Sequence, residues 1–146
     1  RACEELGVPG VEVSIAKMIV GDHVMANFDR HRANFGLLRN AETLDGWKTA
    51  PLFDNGAAFF SRATDAELAC ERYTWTANPF EEYPSAQLAR VRDMSWYDPE
   101  MLAGFAEEAK QVLGSNPHLA GETVSRMAHH IQRNIDAVND LYAERA

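Results

Sequence analysis

The sequence predicts a mainly α-helical fold with one small β-hairpin, and three observations support this. Apolar residues recur every three or four positions over residues 11–26, and again from Glu122 to the end of the chain. That spacing is typical of helices with one buried face. Between them, two short apolar runs flank the turn signal Asp45-Gly46. We expect four to five helices in a single domain of residues 1–146.

The first helix is predicted at residues 11–26, where Val11, Ile15 and Met18 lie on one face. Asp22 falls within the same apolar stripe. A buried carboxylate is costly unless it is hydrogen-bonded, so we expect Asp22 to bond to the loop that follows the helix.

The β-hairpin is predicted directly after that loop. Its first strand is "FGLL", residues 35–38, and its second is "WKTAPLF", residues 47–53, with Asp45-Gly46 at the turn. Pro51 has no backbone N–H to donate, so it predicts that the second strand lies at an edge.

The middle of the chain has weaker signals. Residues 61–83 mix turn residues with aromatic residues, and they predict a long surface loop with a short helix near residues 65–71. A further short helix is expected at residues 84–91.

Helix signals are strong again near the C-terminus. Asp98 as N-cap and Pro99 at the first helical position predict a helix that continues to about Leu113 and ends at Gly114. The last helix is predicted from near Glu122 to the end of the chain.

The composition excludes some classes of partner. The 146-residue chain has a net charge of −8, and so acidic a domain is a poor binder of nucleic acid because phosphate contacts require many Lys and Arg side chains. No apolar run approaches the roughly 20 residues that cross a membrane. The first residues lack the pattern of a signal peptide, and the missing Met predicts that the chain was cut from a longer one.

The two cysteines, Cys3 and Cys70, are far apart and form no motif. Two free thiols in a reducing cytoplasm fit this usage better than one disulfide, which the sequence leaves open. We therefore expect a cytoplasmic protein.

Two spacings point to chemistry. Asp29 and Asn34 are separated as D-x-x-x-x-N, and Asp54 and Gly56 as D-x-G. In protein kinases the first spacing brings a base for the attacking hydroxyl and a magnesium ligand into one loop. The second supplies another magnesium ligand, followed by a glycine that permits an unusual backbone turn. The order of helix, loop, hairpin and D-x-G is that of a kinase C-terminal lobe.

Other interpretations of these residues remain. The first spacing alone is weak evidence, because Asp22 and Asn27 show it too. A loop rich in Asp and Asn that only caps backbone groups is the alternative. A transition-metal site at His23, His31 and Asp29 is disfavoured, because the two His are eight residues apart and no Cys pair accompanies them.

Residues 20–60, "VGDHVMANFDRHRANFGLLRNAETLDGWKTAPLFDNGAAFF", resemble the catalytic segment of the HipA-like serine/threonine kinases. That family has an Asp one turn before an N-x-D-R-H-x-x-N-F-G core, then a hairpin with LIRN-x-x-T-L, and A-P-x-F-D-x-G at the metal-binding Asp. Residues 78–105 resemble the following segment of the same subgroup. The matching residues in the first segment are Asp22, Asn27, Asp29, Arg30, His31, Asn34, Phe35, Gly36, Ala50, Pro51, Phe53, Asp54 and Gly56.

The resemblance implies roles for these residues. Asp29 matches the catalytic base, and Asn34 and Asp54 match the residues that hold the Mg²⁺ carrying the ATP phosphates. His31 follows the base, and we expect it either to orient the base or to form a structural hydrogen bond.

Four further matched residues are expected to support the loops. Arg30 would pair with Asp22 or another acid, or contact a phosphate, and the structural pair is the preferred interpretation. Asn27 would brace the loop by bonding the backbone, and Gly56 would permit the turn after Asp54.

The resemblance also implies a fold, the C-terminal lobe of a protein kinase, in which the hairpin region carries the catalytic and metal-binding loops. The chain has no G-x-G-x-x-G and no strand with a phosphate-contacting Lys, which in the family belong to a preceding N-terminal lobe. We therefore expect ATP to bind mainly with that lobe, and the isolated chain to have negligible kinase activity.

Partners follow from the resemblance as well. Some family members are toxins that phosphorylate aminoacyl-tRNA synthetases and are held in check by a DNA-binding antitoxin. A protein substrate of that kind and an antitoxin-like regulator are thus implied. The alternative function is a degenerate kinase-fold domain that binds a regulator without catalysis. A small-molecule phosphotransferase is disfavoured, since such enzymes usually lack the Arg-His pair after the base.

Overall fold

A computed structural model describes residues 5–145. The mainly helical fold with one small hairpin is confirmed, and the two strands pair antiparallel with Leu37 opposite Thr49. In chain order the elements are α1 (Val11–Val24), β1 (Leu37–Leu38), β2 (Lys48–Thr49), α2 (Asp65–Leu68), α3 (Pro84–Leu88), a 3-10 helix (Pro99–Leu102), α4 (Phe105–Gly114) and α5 (Gly121–Arg145).

The longest helix, α5, lies at the centre of the core. Its buried residues recur every three or four positions, as the sequence predicts, and Ile131 and Val138 are fully buried. α5 packs against α1, α2 and α4. Apolar side chains of these helices and of the loops between them form one cluster, so a single core supports both helices and loops.

The first helix ends earlier than predicted. α1 begins after Gly10, which has a left-handed φ of 67°, and its last residue is Val24. The expected range of 11–26 is two residues too long, because Ala26 has a φ of 51°. A helix cannot continue through a residue of that conformation, so the chain turns there into the loop that carries the predicted site.

The hairpin is shorter than the sequence predicts. The expected strands, residues 35–38 and 47–53, are reduced to two residues each. One more backbone bond, from the Ala50 N–H to the Gly36 carbonyl at 2.9 Å, extends the pairing. The pairing ends before Pro51, whose missing N–H suits an edge position.

The long loop with one short helix is present. α2 lies within the predicted range of 65–71 and begins with a capping box formed by Thr64 and Glu67. The next helix, predicted at 84–91, ends sooner, at Leu88.

The continuous helix predicted from Asp98 to Leu113 is wrong. Asp98 does cap its start, since its side chain accepts a hydrogen bond from the Glu100 N–H at 3.0 Å. Only a 3-10 helix follows, however, and the chain turns at Gly104, which has a φ of 79°, before α4 begins. Glycine adopts that conformation at little cost. Gly114 is the last residue of α4 rather than the residue beyond it.

Two predictions concern the chain as a whole. No helix within residues 5–145 is both long enough and apolar enough to cross a membrane. Cys70 is an exposed free thiol. Cys3, its only candidate partner in the sequence, lies outside the described residues.

Candidate functional site

The loop after α1 is anchored by a buried ion pair. Asp22 and Arg30 are 3% and 0% exposed. Arg30 Nε donates to Asp22 Oδ2 at 2.9 Å and Nη2 donates to Oδ1 at 2.8 Å. This two-point contact fixes the plane of the guanidinium as well as its position. The sequence predicts both the burial of Asp22 and its bond to the following loop.

Arg30 also holds a second loop. Its Nη1 donates to the carbonyl of Asn34 at 3.2 Å and to that of Phe53 at 2.5 Å. Its Nη2 donates to Asn55 Oδ1. Phe53 and Asn55 are the neighbours of Asp54 on either side. One buried side chain therefore joins the loop after α1 to the loop that carries Asp54.

Two buried asparagines shape the first loop from inside. Asn27 Nδ2 donates to Asp22 Oδ1 at 2.9 Å, and Asn27 Oδ1 accepts from the Asp29 N–H at 3.2 Å. Asn27 thus bonds the backbone, as expected, and the buried carboxylate in addition. Asn34 Nδ2 donates to the Asp29 carbonyl at 3.3 Å. The backbone of Asp29 is held on both sides, while its side chain is exposed.

The remaining predicted side chains are open to solvent. Asp54 and His31 are both exposed. His31 Nδ1 accepts a hydrogen bond from the Ala33 N–H at 3.3 Å, which is a contact within its own turn. Arg30 therefore joins the loop that carries Asp29 and Asn34 to the loop that carries Asp54.

The unusual backbone of the second loop lies at Asp54 rather than at Gly56. Asp54 has a φ of 58°, in the left-handed region that Asp and Asn adopt more readily than most residues. Gly56 does not adopt a left-handed φ, and a Cβ at this position would meet open space. The turn predicted at Gly56 is therefore made at Asp54.

A third segment, residues 76–83, packs against the first loop. Asn78 Nδ2 donates to the Phe28 carbonyl at 3.2 Å. The rings of Phe35 and Phe80 lie 6.3 Å apart and tilted, a favourable aromatic contact. The loop that carries Asp29 is thus supported by a segment that falls within the predicted long surface loop.

Sequence reasoning missed three supporting side chains, Asn55, Asn78 and Gln87. Gln87 is buried in α3, where its Oε1 accepts from the N–H groups of Phe80 and Glu81 at 3.1 and 3.4 Å. Its Nε2 donates to the Asn78 carbonyl. The bonds of Asn55 and Asn78 reach across the sequence and leave no local spacing. Gln87 had one signal, a polar side chain on the apolar face of a short helix.

His23, the neighbour of Asp22 on α1, is buried and neutral. Removal from water lowers the pKa of its imidazole to about 4, and a hydrogen bond with the Pro84 backbone opposes this in part. The His23 ring contacts Trp75, with centroids 5.6 Å apart. At neutral pH His23 therefore adds no charge beside the ion pair.

The two predicted magnesium ligands offer suitable atoms. Asn34 carries an amide oxygen, Oδ1, in a buried side chain whose Nδ2 donates to the Asp29 carbonyl. Asp54 presents an exposed carboxylate. Mg²⁺ is commonly held by one or two such oxygens together with phosphate oxygens and water, so the pair fits a metal that arrives with a nucleotide. Within residues 5–145, no three His, Cys, Asp or Glu side chains are grouped as a metal site.

Part of the chain is similar to a known kinase. Over 55 residues it is 36% identical to the serine/threonine-protein kinase CtkA of Helicobacter pylori. The match covers 38% of this chain and 16% of that protein, so the chain corresponds to a small part of its relative. No family model and no solved structure matches the chain. The similarity is thus a partial relation to a serine/threonine kinase.

Proposed function

We propose that this chain is the catalytic C-terminal lobe of a HipA-like serine/threonine-protein kinase, which transfers the γ-phosphate of ATP to a Ser or Thr hydroxyl of a protein. Asp29 accepts the proton of the attacking hydroxyl, and Asn34 and Asp54 hold the Mg²⁺ that bridges the phosphates. The reaction takes place in the cytoplasm, where Mg²⁺ and ATP are abundant.

The observation that carries the proposal is the position of Arg30. Its guanidinium is fixed by Asp22 and bonds on both sides of Asp54. Phosphoryl transfer depends mainly on placing a base, a metal and a phosphate in line. A buried link between the loop of Asp29 and the loop of Asp54 supports the proposal, because it fixes the two loops relative to each other. A loop that only caps its own backbone groups needs no bond to a second loop.

The exposure of Asp29 suits the role of base. Its backbone is held by Asn27 and Asn34, whereas its carboxylate faces solvent. A substrate hydroxyl that approaches from outside would therefore meet a carboxylate whose backbone is held in place, which supports the role of general base.

Most contacts to the nucleotide belong, in this proposal, to an N-terminal lobe of the longer protein. The sequence contains no G-x-G-x-x-G motif, so the chain alone is expected to transfer little phosphate. The proposed partners are a protein substrate such as an aminoacyl-tRNA synthetase and an antitoxin-like regulator. Both partners rest on the family resemblance.

The test uses the full-length protein that contains this chain, incubated with Mg²⁺, ATP radiolabelled at the γ-phosphate and a cell lysate. We expect labelled protein bands, and in Asp29→Ala a loss of labelling of at least about 100-fold, the usual contribution of a general base. The matched control is Asp140→Ala, which removes an exposed carboxylate on α5 and should leave labelling unchanged.

The competing function makes a different prediction. A degenerate kinase-fold domain would bind its regulator, and would label no protein in the wild type or in either variant. ATP binding without any labelled band would therefore overturn the proposal in favour of that domain.

A further inference from the structure

A small cavity lies between the end of α1 and α3, beneath the loop that carries Asp29. Its polar wall is formed by Asp22, His23, Asn27 and Gln87. Its volume of about 10 Å³ is close to the lower limit for a cavity that holds one water molecule.

One polar atom in this wall lacks a hydrogen-bond partner. Nδ1 of His23 is buried and has no hydrogen-bond partner within residues 5–145. A neutral imidazole carries one N–H donor and one acceptor nitrogen. A buried polar atom without a partner is costly, so Nδ1 requires a polar group in the cavity.

The other wall atoms complete a set of partners. Asn27 Nδ2 donates one hydrogen to Asp22, and Gln87 Nε2 donates one to the Asn78 carbonyl. Each amide keeps a second hydrogen, and a carboxylate accepts more bonds than the protein supplies here. The cavity thus combines an acceptor, Asp22, and the unpartnered His23 Nδ1 with at least one donor.

We propose that this cavity binds one structural water. The water donates to His23 Nδ1 and to the Asp22 carboxylate, and it accepts from the side-chain amide of Gln87. Three bonds of this kind are typical of buried waters. The water links α1 to α3, so the anchor of the first loop and the support of residues 76–83 become one network. The site requires no nucleotide and is independent of the proposed kinase activity.

The first test is the hydrogen position on His23. In isotope-labelled protein, a long-range proton–nitrogen correlation reports which ring nitrogen carries hydrogen. We expect Nε2–H with Nδ1 unprotonated, together with a nuclear Overhauser contact between the ring and a water in slow exchange. A hydrogen on Nδ1, or a ring without any water contact, would overturn the proposal.

A matched pair of variants sharpens the test. His23→Phe keeps an aromatic ring against Trp75 but removes Nδ1. We expect loss of the water contact and a shift of the side-chain amide resonances of Asn27 and Gln87. His129→Phe, at an exposed His on α5, should leave all of these signals in place.

Unshifted amide resonances in folded His23→Phe would contradict the proposed link. If that variant does not fold, the tautomer and the water contact in the wild-type protein still decide. Because no step of these measurements uses ATP, a protein without kinase activity would give the same signals, and failure of either proposal can be recognised separately.

Discussion

Two parts of the molecule are equally buried, one with apolar side chains and the other with charged and polar side chains. At the centre of α5 the fully buried side chains are apolar, Ile131 and Val138. In the loop after α1 the fully buried side chain is Arg30, with Asp22 and Asn34 around it. Apolar burial is non-directional, whereas a guanidinium with bonds to several segments accepts few arrangements. The difference indicates that α5 mainly stabilises the fold, while the polar network around Arg30 fixes the positions of the two loops.

The same two parts also differ in how much regular secondary structure they contain. α5 is a continuous helix of 25 residues, and its backbone groups bond each other. The region around the predicted site contains only two strands of two residues each. Left-handed φ values occur at Ala26, Asp54, Phe59 and Phe60, so side-chain bonds must fix what the backbone ladder does not.

The largest expected effect comes from breaking the polar network with Arg30→Met. Met fills part of the space but leaves the Asp22 carboxylate buried without its cation, which costs about 3–5 kcal/mol of unfolding free energy. Chemical denaturation followed by circular dichroism measures this loss. The control is Arg90→Met, because the Arg90–Glu81 pair is 54% and 36% exposed and such pairs contribute at most about 1 kcal/mol. Equal losses in the two variants would contradict the buried anchor.

The apolar side of the comparison is tested by Ile131→Ala. Truncation at a fully buried position removes packing and leaves a cavity, so we expect a loss of about 3 kcal/mol in the same assay. Val112→Ala on α4, where Val112 is 71% exposed, should change stability by no more than about 0.5 kcal/mol. A small effect at Ile131 would mean that the core lies elsewhere.

Acid is expected to weaken the protein through His23. The unfolded chain takes up a proton at His23 near the ordinary pKa of 6.5, whereas the folded state does so only near 4. The contribution of His23 to the free energy of unfolding therefore falls by up to about 3 kcal/mol as the pH drops from 6.5 to 4. Above pH 6.5 this contribution is constant. Burial also lowers the pKa of His130, which acts in the same direction.

Carboxylates titrate in the lower part of the same range, so the measurement is a difference. Unfolding free energies of wild-type protein and His23→Phe are compared at pH 7 and at pH 5. We expect the wild type to lose more stability on acidification than the variant. Parallel pH profiles would show that His23 is not buried as described.

The smallest effects concern two glycines near the site. Gly46 has a φ of 65°, so Gly46→Ala is expected to cost about 1 kcal/mol because a Cβ disfavours that conformation. Gly56→Ala meets open space and no left-handed φ, and its effect should stay within about 0.5 kcal/mol. Thermal unfolding of the two variants measures both losses. A larger loss in Gly56→Ala than in Gly46→Ala would indicate that the unusual backbone turn lies at Gly56.

The sequence predicted well what local periodicity encodes. α1 and α5 are visible because their burial repeats with the helical period. Asp22 within an apolar stripe is also local, and it predicted a buried carboxylate bonded to the next loop. The chain shows a partial similarity to a serine/threonine kinase, and the roles of Asp29, Asn34 and Asp54 stay predictions.

What the sequence missed depends on contacts between distant residues. Nothing in the local pattern shows that Arg30 reaches Phe53 and Asn55, which lie 23 and 25 positions later. The sequence does not predict the break at Gly104, because the N-cap signal at Asp98 marks where a helix begins and not how long it is. Glycine usually takes a left-handed conformation, so the D-x-G spacing predicts the turn at Gly56. In this loop Asp54 adopts that conformation instead.

The buried guanidinium of Arg30 has a consequence for motion. To release any of its partners, Arg30 must leave a site without solvent access, and the bonds to Asp22, Asn34 and the second loop are lost in the same event. The region thus opens cooperatively, as one unit rather than as separate loops that fluctuate independently. Partly assembled forms are correspondingly rare, so in any one molecule the loop of Asp29 and the loop of Asp54 are either both in place or both released.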